Sequence, residues 1–85
     1  MKVNFRKIPF QDIEGNEQMF DIQKGLGNTL YMQGANIEEC KLGERIYGAN
    51  GEVELSDDDV AVIKRFASGY SFVLREAIEA AMKKQ

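Results

Sequence analysis

The residues able to do chemistry are few, and their spacing narrows what they can do. Histidine is absent and Cys40 is the single cysteine. The commonest general base at neutral pH is therefore missing, and Ser-His or Cys-His nucleophile pairs are excluded. One thiol without imidazole leaves only carboxylates as further zinc ligands, so a zinc centre is not expected. Cys40 falls near the start of an expected helix, where the positive end lowers a thiol pKa. Glu38 and Glu39 precede it and oppose that effect, so it reads as a small half-buried side chain.

Asp57-Asp58-Asp59 can be weighed as a hard-cation site. A calcium loop begun at Asp57 needs glycine at its sixth place and glutamate at its twelfth, where this chain has Val62 and Ser68. Helix capping accounts for the same acids. Gly25-Leu26-Gly27-Asn28-Thr29 can cradle a phosphate where a strand meets a helix. It lacks the Gly-Lys-Ser/Thr ending of a P-loop and the third glycine of a dinucleotide fingerprint, and close packing explains it better. No catalytic, metal or cofactor site is expected, and no small-molecule ligand is evident.

The elements that position these residues can be read from periodicity. Val3 and Phe5, then Ile8 and Phe10, alternate with polar residues and predict extended chain. The two pairs have opposite parity, which predicts a bulge near Arg6-Lys7. A turn at 12–17 folds this strand back, and a register with Ile13 opposite Glu17 sets Phe10 against Phe20 and Ile8 against Ile22. Pro9 marks an exposed edge. Ile22, Leu26 and Leu30 recur at helical spacing and predict a helix near 24–33, ended by Gly34. Asn36 with Glu39 forms a capping-box pattern before a helix over 37–47, ended at Gly48. Glu52–Leu55 alternates and suits a third strand. Ser56 with Asp59 caps the next helix, whose buried stripe is Val60, Ile63, Phe66 and Ala67. After Gly69 a last helix sets Tyr70, Val73, Leu74, Ala77, Ile78, Ala81 and Met82 on one face, with Lys83 and Lys84 at its negative end. No internal repeat is expected.

The resulting fold class is α+β: an N-terminal β-hairpin, with a third short strand at 52–55, packed on three to four short helices in one domain over residues 1–85. With 85 residues, 44% hydrophobic and 29% charged, the chain can fold but has little room for a walled active site beside its core. The lone thiol and the lack of a leader or of a membrane-length apolar run predict a cytoplasmic protein with no membrane partner.

Net charge is −3, so no global field draws nucleic acid. Lys2, Arg6 and Lys7 beside Phe5 are the only feature favouring it. The acidic run Glu52, Glu54, Asp57, Asp58, Asp59 suits a basic partner or, as a variant, imitation of DNA. The last helix is apolar over a wide arc, and Phe72, Ile78 and Met82 are candidate contacts for a protein partner or a homodimer. With Glu52, Glu54, Asp57 and Asp58 they make up the expected interaction surface.

Lys2–Ile8 leading to Asp12-Ile13-Glu14-Gly15-Asn16, then Leu26–Tyr31, then Gly51–Ser56 with the helix after it, together resemble small uncharacterised proteins of phages, prophages and mobile elements of gut bacteria. That resemblance implies a bacterial host cell and an accessory or assembly role. A non-enzymatic protein-interaction module is the reading expected first. A self-associating phage structural component, a nucleic-acid-associated regulator and an acidic DNA mimic are the alternatives.

Overall fold

The structure, a computed structural model, describes residues 1–83. Its order is β1 (Lys2–Asn4), β2 (Ile8–Gln11), β3 (Glu17–Phe20), α1 (Gln23–Gln33), α2 (Ile37–Gly48), β4 (Glu52–Glu54), α3 (Asp57–Ala67) and α4 (Phe72–Lys83). The class is α+β, as the periodicities predict. Lys84 lies outside the described residues; Lys83 occupies the last turn of α4.

The N-terminal stretch is not one strand of a hairpin. The parity change that predicts a bulge is a full turn: the Lys7 N–H donates to the Asn4 carbonyl at 3.1 Å, and the Asn4 side chain accepts from the Arg6 N–H. The turn separates β1 from β2. β1 pairs antiparallel with β4, Val3 opposite Val53. β2 pairs with β3 in a second two-stranded sheet. The expected third strand therefore exists as 52–54 but belongs with the chain start.

The hairpin register differs from expectation by two residues: Ile8 lies opposite Phe20 and Phe10 opposite Gln18. The turn chemistry decides this. Gly15 adopts φ +84° and its N–H donates to the Asp12 carbonyl, while the Asp12 N–H donates to Asn16. That is a three-residue loop with glycine at its left-handed third place. The Asp12 carboxylate, accepting from the Glu14 and Asn16 N–H groups at 2.9 Å, holds it. Phe10 and Phe20 still meet, as a diagonal stacked pair with centroids 3.9 Å apart. Ile22 leaves the ladder, donates its N–H to the Phe5 carbonyl and precedes α1.

α1 and α2 form a helical hairpin whose backbones touch. A Cβ on Gly27 would lie 2.8 Å from the Gly43 carbonyl oxygen and from Tyr47 N, and one on Gly43 would lie 2.6 Å from the Gly27 carbonyl oxygen and 2.7 Å from Tyr31 N. These contacts are reciprocal, and so is the sequence that makes them. Leu26-Gly27-Asn28-Thr29-Leu30-Tyr31 in α1 matches Leu42-Gly43-Glu44-Arg45-Ile46-Tyr47 in α2. The chain does contain an internal repeat, then, of one short helical segment. In both copies the two aliphatic residues are buried and the tyrosine is exposed.

Asn36 caps α2 by accepting from the Glu39 N–H at 2.9 Å, but the Glu39 carboxylate reaches past the cap to the Ala35 N–H and to Arg65. That ion pair competes with the box. At α3 both halves of the Ser56–Asp59 box are present. Phe5, Ile8, Leu26, Leu30, Ile46, Ile63 and Ile78 are the largest fully buried side chains and join the elements into one core.

The two glycines of the Gly25-x-Gly27 pair should respond oppositely to alanine. Nothing lies within 4 Å of a Cβ on Gly25. Gly25→Ala should raise stability by about 0.5–1 kcal/mol through helix propensity. Gly27→Ala and Gly43→Ala should each lower it by about 2–3 kcal/mol, since the helices must part. Urea denaturation of the three variants checks both signs.

Candidate functional site

Each chemistry-bearing residue has a structural occupation. Cys40 is half-buried and its Sγ donates to the Tyr31 carbonyl at 3.4 Å. Asp59 receives the Ser56 N–H and the Arg45 guanidinium, the latter at 2.8 Å. Asp57 and Asp58 are exposed in the first turn of α3, where they complement its positive end. Among the described residues no group of three or more Cys, Asp or Glu is placed to hold a metal ion. No helix among them is long and apolar enough to cross a membrane.

The expected interaction surface divides. Ile78 and Met82 are 0% and 2% exposed, so they fill the core and offer nothing to a partner. The arc of α4 looks wide in sequence because the helix covers the hairpin, β1 and α3 together. Phe72 is exposed, with the Arg75 guanidinium over its ring, 5.5 Å from the centroid. Val73, expected within the buried face, is exposed beside it. Glu52 and Glu54 flank the buried Val53 on β4, and Glu54 lies 3.0 Å from the Met1 amino group.

The Gly25–Thr29 segment lies inside α1 rather than in a loop. Gly25 lines an open hollow of about 440 Å³ with Arg6, Asp21, Gln23, Lys24, Tyr47 and Ala49. The Asp21 carboxylate accepts from the Gln23 N–H at 3.3 Å, so a protein acid already serves the helix start. The Gln23 amide is buried and donates to the Tyr47 and Ala49 carbonyls at 3.2 and 2.5 Å, closing the end of α2 onto the start of α1.

One largely apolar groove is not revealed by composition. It measures about 280 Å³ and is lined by Gly27, Asn28, Tyr31, Gly43, Glu44, Tyr47 and Gly48. Its floor is the glycine crossing, and its walls are the two tyrosines of the repeat. Both rings are about half exposed. The signal that identifies them is the matched Leu-Gly-x-x-Leu/Ile-Tyr spacing, visible only when the two helices are aligned. Met19, Met32 and Ile37 are further exposed apolar side chains outside the expected surface.

Against known proteins, the chain matches no family model, no curated protein and no solved structure.

One ionisable group joins the start of α2 to α3. Glu39 is buried, and its carboxyl is held below its usual range first by the hydrogen bond from Arg65 and then by the Ala35 N–H, against the opposing effect of burial. A folded pKa below the ordinary 4.5 contributes stability that is present above that pH and lost as pH falls through the folded value. Glu39→Gln should therefore lower stability at neutral pH and flatten part of the acid limb, read from denaturation curves between neutral and strongly acidic pH.

Proposed function

We propose that the chain is a non-enzymatic protein-interaction module. The observation that carries this reading is the paired Tyr31 and Tyr47 walls over a glycine floor. Tyrosine is favoured at interfaces because its ring buries a large area at low entropic cost while its hydroxyl stays hydrated. Close approach of two helices at glycine makes the floor flat enough for a partner side chain to reach backbone. The chemical inventory supports the same reading: the single thiol is engaged with a carbonyl, and the carboxylates of Asp12, Asp59 and Glu39 are engaged in a turn, a cap and an ion pair. An accessory role in a phage or mobile element, as the resemblance implies, fits a module of this kind.

The test is capture of a binding partner by the immobilised protein from cells that carry its gene, beside the double variant Tyr31→Ser, Tyr47→Ser. Both tyrosines lie outside the core, so the variant should unfold within about 0.5 kcal/mol of the parent. A partner held by the parent and lost by the variant supports the reading. Repeated absence of any partner, or turnover of a substrate by the purified protein, counts against it.

A further inference from the structure

Two separate two-stranded sheets give this domain four outer strand edges, and three of them are blunted. Pro9 has no N–H to offer on β2. Alternate residues of β4 that face outward are Glu52 and Glu54, since the Met1–Leu55 pair exchanges bonds in both directions and sets the parity. On β1 the Asn4 carbonyl is occupied by the Lys7 N–H. Charges, proline and local turns are the usual means by which proteins prevent edge pairing.

β3 carries one outward-facing acid, Glu17, at its turn end, and no proline, charge or local turn at Gln18 or Met19. The bond from the Asp12 N–H to the Asn16 carbonyl makes that pair a bonded one, so Phe10–Gln18 and Ile8–Phe20 are bonded and Pro9–Met19 is not. The N–H and C=O groups of Glu17 and Met19 therefore point away from β2. Neither residue takes part in any backbone bond outside the ladder. Glu17, Gln18 and Met19 are all exposed, Met19 at 63%.

Charge says what fits this edge. Between Ile8 and Gln23 the only charged side chains are Asp12, Glu14, Glu17 and Asp21. Asp12, Glu14 and Glu17 lie at or beside the turn and make the tip of the hairpin acidic, while Asp21 lies at its base. That base, where the chain enters β2 and leaves β3, also carries Arg6, Lys7 and Lys24, and none of the three forms an ion pair among the described residues. Antiparallel pairing of β3 with itself lays the tip of each hairpin along the base of the other. With Gln18 on the two-fold axis, Glu17 faces Met19 of the second copy and no carboxylate faces another across the strands.

We infer that the β3 edge pairs with the β3 edge of a second copy, joining two hairpins into one four-stranded antiparallel sheet clamped at both ends by acidic tips on basic bases. This rests on the reading of the chain as an interaction module and names one partner for it. The hairpin is held on one face by α4, so its outer edge is what remains for two more strands to extend.

Sedimentation velocity over a concentration series tests the inference. The mass should rise from 9.6 kDa towards twice that value, less steeply as salt is added. Met19→Pro removes an outward N–H only, as Pro9 does on β2, and should abolish the dimer with the far-ultraviolet circular dichroism and melting curve retained. Glu14→Lys and Lys24→Glu should each weaken the dimer, and the double variant should restore it. If Met19→Pro fails to fold, the charge-reversal pair decides alone. A monomer at every concentration, or a dimer indifferent to both sets of variants, overturns the inference. Neither result touches capture of a different protein through Tyr31 and Tyr47, so the two readings fail separately.

Discussion

The backbone contact between Gly27 and Gly43 is the constraint on which the rest of the domain depends. Helices packed through ordinary side chains keep their axes roughly 8–10 Å apart. Here neither partner has a Cβ at the crossing, and a methyl group on either would meet backbone atoms of the other. Because the helices are drawn together, Leu26, Leu30, Leu42 and Ile46 share one inward face and act as a single slab under the remaining elements. The close approach also puts the end of α2 within reach of the Gln23 amide, and fixes the connecting loop so that Glu39 can bridge Ala35 and Arg65. A few hydrogen bonds then hold α1, α2 and α3 at set angles without further apolar area.

Local signals in the sequence were legible wherever a side chain acts on its own backbone. Ser56 and Asp59 cap α3 in both directions, Asn36 caps α2, and Gly34 follows α1. Signals that need a partner were not. The hairpin register turned on which place of the loop takes positive φ, and Gly15 with the Asp12 carboxylate settles that only once both are in space. The pairing of β1 with β4 joins the chain start to a segment beyond two helices, and nothing within Lys2–Asn4 announces it. The face of α4 shows the same limit: Ile78 and Met82 read as surplus apolar area until the hairpin and β1 are seen to lie against it.

The candidate surfaces were less legible still. Gly25-x-Gly27 suggests a phosphate cradle because the motif is familiar in loops, yet α1 contains it and the second glycine faces a neighbouring helix. The two tyrosines are ordinary surface residues one at a time. They become a feature because each follows a crossing glycine by four residues, one helical turn, in both halves of the helical hairpin.

The β1–β4 ladder has a consequence for how the domain assembles during synthesis. α1 and α2 are neighbours in the chain, joined by a short connection, and their contact closes only a small loop. β1 must hold its unpaired strand until β4 has been made, and closing that longer loop carries a greater entropic cost. The helical pair is therefore available as an early nucleus on the ribosome, while β1, made before it, is among the last elements to find its place.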